Sequence, residues 1–127
     1  MTTLPRVLLV EPQFVLRRTI AIVARDLGMV DFHEASNVAR ARTLLATGTY
    51  EALVLDLEEG QLAIDLLSDV RQGKSGHRRD LKIIVLAADL PPIEASRLQE
   101  FGVRSVMKKP VRITDLLNAV VEPTTSQ

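Results

Sequence analysis

Short apolar runs that end in polar residues recur along this chain, and helical patterns fill the spaces between them. Val7–Val10 runs into Glu11 and Pro12, Ala52–Leu55 into Asp56, Ile83–Leu86 into Ala87 and Ala88, and Ser105–Lys108 into Lys109 and Pro110. Short runs rich in β-branched residues read as strands buried on both faces. A further strand is predicted near residues 30–35. The first helix is predicted over about 13–27, with the stripe Leu16, Ile20, Val23 and Leu27 facing inward and Gly28 closing it. The second carries Val38, Ala41, Leu44 and Leu45, with Ser36 or Asn37 as its cap and Gly48 at its end. The third spans 61–72, with Leu62, Leu66, Leu67 and Val70 inward. Gly73–Asp80 is the most polar stretch and reads as a loop. Pro91 and Pro92 open a fourth helix, sparsely apolar at Ile93, Leu98 and Phe101. The last helix, about 113–121, is amphipathic through Ile113, Leu116, Leu117, Val120 and Val121, with Thr114 as a candidate cap. Five alternations of strand and helix predict a doubly wound α/β domain.

In such a sheet every strand ends at the same edge, and ligands bind there. Glu11, Asp56, Ala87 and Lys109 are therefore candidates for one pocket. Asp56 directly follows a fully apolar strand, where an unpaired carboxylate is costly. It reads as a nucleophile or metal ligand, or as a cap for the next helix. Lys109 either reaches across the pocket or is solvated beside Lys108. Its proline neighbour restricts the backbone. Glu11 can help bind a divalent cation or pair with Lys109, and Pro12 can do neither. His33 reads as a strand residue, His77 as a solvated loop residue, and Glu58 and Glu59 as an exposed acidic loop. No second His or Cys stands at metal-ligand spacing.

The bulk numbers narrow the function classes. At 127 residues the chain is expected to form one domain, with a core of about 5–121 and a flexible tail over 122–127. Lys plus Arg equals Asp plus Glu at 16 each, which gives no electrostatic case for nucleic acid. There is no cysteine, and no signal-peptide core or membrane-length apolar run, so a soluble, cytoplasmic protein without a membrane partner is expected.

Taken together and in order, four segments resemble the receiver domain of bacterial two-component response regulators. They are residues 7–11, 52–57, 83–88 and 101–110, and the resemblance covers about 5–121. It implies a flavodoxin-like sheet in the order 2-1-3-4-5 with five helices. Asp56 stands where receivers accept a phosphoryl group from a partner histidine, and Lys109 where a lysine contacts that group. Glu11 stands at the first of two acidic positions. Pro12 stands at the second, which normally binds Mg²⁺. Ala87 stands where a Ser or Thr hydroxyl normally bonds the phosphoryl oxygen, and Val106 where an aromatic switch residue is usual. The resemblance thus implies an atypical receiver. Its Mg²⁺ site, reduced to Glu11 and Asp56, is weakened, and phosphorylation of Asp56 is weak or absent. Such a protein acts by docking rather than as an enzyme. A sensor histidine kinase or a downstream target is the expected partner, on a monomer or homodimer. Docking is expected on the face of the fourth helix, fifth strand and fifth helix, where Arg97, Arg104, Lys108 and Arg112 form a basic strip. The close alternative is a working phosphoacceptor. A flavin-binding relative is disfavoured because Glu11-Pro12-Gln13-Phe14 is no phosphate cradle. An enzyme with a separate substrate is disfavoured because no Ser–His–Asp or paired-carboxylate arrangement emerges.

Overall fold

The computed structural model describes residues 3–123. The elements follow in strict alternation: β1 (Arg6–Val10), α1 (Phe14–Asp26), β2 (Asp31–Ala35), α2 (Val38–Thr47), β3 (Ala52–Asp56), α3 (Gln61–Arg71), β4 (Lys82–Ala87), α4 (Pro92–Glu100), β5 (Ser105–Lys108) and α5 (Ile113–Val121). All neighbouring strands are parallel, and the sheet order is β2-β1-β3-β4-β5. This is the doubly wound, flavodoxin-like topology expected from the sequence. The register pairs Val10 with Leu55, Asp56 with Leu86 and Ala87 with Lys108, so the strand ends meet at one edge.

Successive strand residues face opposite sides of the sheet, and this divides the core in two. Leu8, Leu53, Leu55, Ile83 and Val85 face one layer, with Ala41 and Leu45 of α2, Leu66 and Leu67 of α3 and Leu98 of α4. Val7, Leu9, Val54, Ile84 and Leu86 face the other, with Ile20 and Ala24 of α1 and Leu116 and Leu117 of α5. β3 is buried at all of its positions, as a central strand covered on both faces must be. β5 departs from that expectation. As an edge strand it alternates between half-buried and exposed residues, and Val106 is 42% exposed.

The helix faces read off the sequence hold in the main, with exceptions at Leu27, Leu62, Ile93 and Val121, which are exposed. The buried residues of α1 are Ile20, Ala21 and Ala24, with Leu16 and Val23 partly buried against the same core, and the two alanines let the helix lie close to the sheet. Leu27 is exposed because the helix has already ended, and Gly28 takes φ 65° to turn the chain away. In α3 the contact face runs through Ala63, Ile64, Leu66, Leu67 and Val70, and Leu62 in the first turn points to solvent. Ile93 and Val121 are likewise exposed, which leaves Leu98 as the single buried residue of α4. Asn37, not Ser36, caps α2 by accepting from the Arg40 amide. Thr114 lies inside α5, and Arg112 occupies the cap position without a side-chain bond. Of the predicted tail, residues 124–127 lie outside the described residues.

Candidate functional site

The sheet pattern continues for one residue beyond three of the strands, and this fixes the backbone around the pocket. Glu11 donates its amide to Ala35, Leu57 to Leu86, and Lys109 to the Ala87 carbonyl, at 2.9–3.0 Å. Glu11 and Asp56 are the buried charged residues of the described chain, at 0% and 5% exposure. Two carboxylates at such depth need a counter-charge and hydrogen bonds. Lys109 supplies both. Its Nζ donates to Glu11 Oε1 and to Asp56 Oδ2, each at 2.7 Å. The two remaining oxygens take backbone donors: Gln13 N–H reaches Glu11 Oε2 at 2.9 Å, and Glu58 N–H reaches Asp56 Oδ1 at 2.7 Å. Among the described residues no buried side-chain nitrogen or oxygen lacks a partner.

The lysine responds to this setting. Burial works against its charged form, but the hydrogen bonds and charges of Asp56 and Glu11 outweigh burial and hold its pKa above the usual lysine value. One ammonium against two carboxylates leaves the trio one negative charge in excess. Around it opens a cleft of about 560 Å³, lined by Gln13, Leu16, Glu58, Ala87, Asp89 and Glu94 besides Asp56 and Lys109. A larger open groove of about 1120 Å³ lies at the opposite end of the sheet, under Tyr50 and His77, away from the strand-end residues. The excess acid and buried charge belong to the smaller cleft, so the candidate chemistry is there.

The sequence placed Glu11, Asp56, Ala87 and Lys109 at one edge, and they do converge. Of the readings left open, Glu11 pairs with Lys109. Asp56 does not cap α3, whose N-terminal position is Gly60. Pro12 brings no donor or charged group, and the buried Ala87 presents only a methyl group. Among the described residues no cluster of three or more His, Asp or Glu side chains is placed to hold a metal.

Other readings need correction. His77 is not simply solvated, because its Nε2 accepts the Tyr50 amide at 3.1 Å. His33 meets Tyr50 from the other side, with Nδ1 3.3 Å from the hydroxyl and the rings edge to face. Glu59 is not a free acidic residue. It leaves its loop to accept the Val38 amide at the start of α2. Arg17 donates to the Glu11 carbonyl at 2.9 Å and pairs with Glu34. Of the predicted basic strip, Lys108 and Arg112 are exposed, whereas Arg104 donates to the Pro123 carbonyl and lies 3.7 Å from Glu122.

No family model matches the chain. The chemotaxis protein CheY of Pseudomonas aeruginosa is 28% identical over 106 residues, covering 83% of this chain and 84% of that protein. A response regulator receiver protein from Pseudomonas putida superposes with a TM-score of 0.84 at 26% identity, over 97% of this chain and 100% of that one. The chain is a response regulator receiver domain of the CheY-like superfamily. The sensory/regulatory protein RpfC of Xanthomonas campestris pv. campestris is 28% identical over 79 residues, 61% of this receiver, which spans only 11% of that protein's length. A response regulator from Burkholderia pseudomallei, 20% identical with a TM-score of 0.76 over 93% of this chain and 67% of that one, was crystallised with a phosphorylated aspartic acid, a calcium ion and citrate. Receivers are signalling modules of bacterial two-component systems, and this chain keeps their fold. No helix among its described residues is long and apolar enough to cross a membrane.

Proposed function

We propose that this receiver acts by docking to a protein partner, and that Asp56 is a phosphoacceptor only slowly, if it is loaded at all. The observation that carries this reading is the trio of Lys109, Glu11 and Asp56, set beside Pro12 and Ala87. In the transfer itself, a carboxylate oxygen of Asp56 bonds to phosphorus while the bond from phosphorus to the donor's histidine nitrogen breaks. Negative charge spreads over the phosphoryl oxygens, and fixed donors and cations must hold it. Here one ammonium already answers two carboxylates, and Glu58, Asp89 and Glu94 add acid at the mouth. Ala87 offers no hydroxyl.

The pocket is also a poor fit for Mg²⁺. That ion asks for near-octahedral oxygen ligands. Glu11 and Asp56 supply carboxylates whose oxygens are all engaged, and Pro12 adds none. A second reading, a working phosphoacceptor, draws support from the direct contact of Lys109 with Asp56. The docking face we infer is that of α4, β5 and α5. In its favour are the thin anchoring of α4 through Leu98 alone and the exposed Lys108 and Arg112, with Arg97 half-buried nearby in the chain and Arg104 partly engaged. The partner is a sensor histidine kinase or a downstream target, in a cytoplasmic setting.

Intact-mass measurement after treatment with a small phosphodonor and Mg²⁺ tests the reading. A slow, partial gain of one phosphoryl group is expected in the wild type and none in Asp56→Asn. Rapid complete loading favours the working phosphoacceptor, and loading that survives Asp56→Asn removes the site from Asp56.

A further inference from the structure

Asp56 holds a second partner besides Lys109, and that partner leads away from the pocket. Its Oδ1 accepts the Glu58 amide at 2.7 Å. The same stretch is closed by the Gly60 amide donating to the Leu57 carbonyl at 2.9 Å, which makes residues 57–60 one tight turn. Within that turn Glu59 reaches out, and its Oε2 accepts the amide of Val38 at 2.6 Å. Val38 is the first residue of α2. The leading amides of a helix have no partner inside it, and a carboxylate there is favoured by both hydrogen bonding and the helix dipole. The cap on α2 is therefore shared. Asn37 serves the Arg40 amide at 2.7 Å, and Glu59 serves Val38 from 21 positions along the chain. Gly60 completes the geometry with φ 62° and ψ −119°, a region open in practice only to glycine. A Cβ added there meets nothing within 4 Å, so the backbone angles, not crowding, demand the glycine.

A turn pinned at one end by the Asp56 carboxylate and at the other by the start of α2 links two places that share no strand or helix. We propose that Glu59 is a positioning residue that carries the state of the Asp56 carboxylate to the first turn of α2. There Ser36, Asn37, Ala39 and Arg40 are exposed. On the β4–β5 side Ala87 has no polar side-chain atom to make a matching link. The two-state element is the cap itself, with Glu59 either on Val38 or off it. Whatever alters Oδ1 as an acceptor frees the Glu58 amide, relaxes the turn and withdraws Glu59. The inference rests on the proposed function only in taking Asp56 as the group whose charge and bonding change.

Amide chemical shifts and hydrogen exchange of the whole chain test it, in the wild type, Asp56→Ala, Glu59→Ala, Glu59→Gln and the double variant Asp56→Ala/Glu59→Ala. A lost cap speeds exchange by about five-fold, the equivalent of ~1 kcal/mol. Asp56→Ala is expected to shift the Val38 and Arg40 amides and to speed their exchange to that extent. Glu59→Ala should do the same, and the double variant no more than either. Glu59→Gln keeps an acceptor and should keep the coupling. A merely structural Glu59 would make the two effects add at Val38. That result overturns the proposal, as does an Asp56→Ala spectrum in which Val38–Arg40 stay in place. Should Asp56→Ala fail to fold, Asp56→Asn replaces it. A shift at Glu58 that extends to Val38 supports the coupling, and one confined to Glu58 refutes it. None of these measurements uses a phosphodonor, so a chain that resists phosphorylation leaves their outcome intact.

Discussion

Lys109 is the residue on which the pocket's electrostatics turn. It is the partner of both buried carboxylates, and removing it strands them without a counter-charge. Breaking a buried pair in this way costs about 3–5 kcal/mol, far more than the net worth of the pair. Lys109→Met is expected to lose stability on that scale in denaturant unfolding, and Asp56→Asn in the same background to restore part of it, because the two sites share one network. The pH dependence follows from the raised lysine pKa. A group with a folded pKa above its unfolded value of 10.5 contributes fully below 10.5, and its contribution fades as pH rises through the folded value. The stability gap between wild type and Lys109→Met should therefore be flat up to about pH 10.5 and narrow above it. A gap that narrows already at neutral pH contradicts the assignment.

At the scale of elements, strand ends were legible in the sequence because apolar runs bounded by charges or prolines leave little choice of where a buried strand stops. Helix faces were legible in the main but not complete. In α1 the expected Leu16, Ile20 and Val23 do pack on the core, but Ala21 and Ala24 are seated there too and Leu27 is left to the cap. Small residues set how closely a helix approaches the sheet, and a stripe counted on bulk alone misses them. Likewise Glu11, Asp56 and Lys109 were readable from their positions, but the amides of Gln13 and Glu58 were not, since their direction depends on turns that no spacing rule specifies. Glu59 was misread for the same reason: its partner is 21 residues away. The α4–β5–α5 face is the element that carries the docking proposal. Charge reversal at the exposed Lys108 and Arg112 should weaken capture of an acidic partner several-fold and reduce its salt dependence, with circular dichroism unchanged. Capture that is unaffected there but lost on Arg18→Glu in α1 would relocate the face.

Across the whole molecule, the sheet order brings residues from β1, β3 and β5 to one edge, so the chemistry there answers to positions nearly a hundred residues apart in sequence: Glu11 and Lys109 are separated by 98. The fold is that of a receiver, and on the proposed reading Pro12 and Ala87 stand where an acidic ligand and a hydroxyl donor would serve that edge. If those two absences are what slows phosphorylation, restoring them should speed it. The direct measurement is the intact-mass time course of phosphodonor loading for the wild type and for Pro12→Asp/Ala87→Thr, at equal Mg²⁺. One well-placed donor to developing negative charge is worth about 10²–10³ in rate. The restored variant is expected to load Asp56 about a hundredfold faster than the wild type, the low end of that scale. Equal rates in the two proteins, with the wild type already fast, would contradict the account.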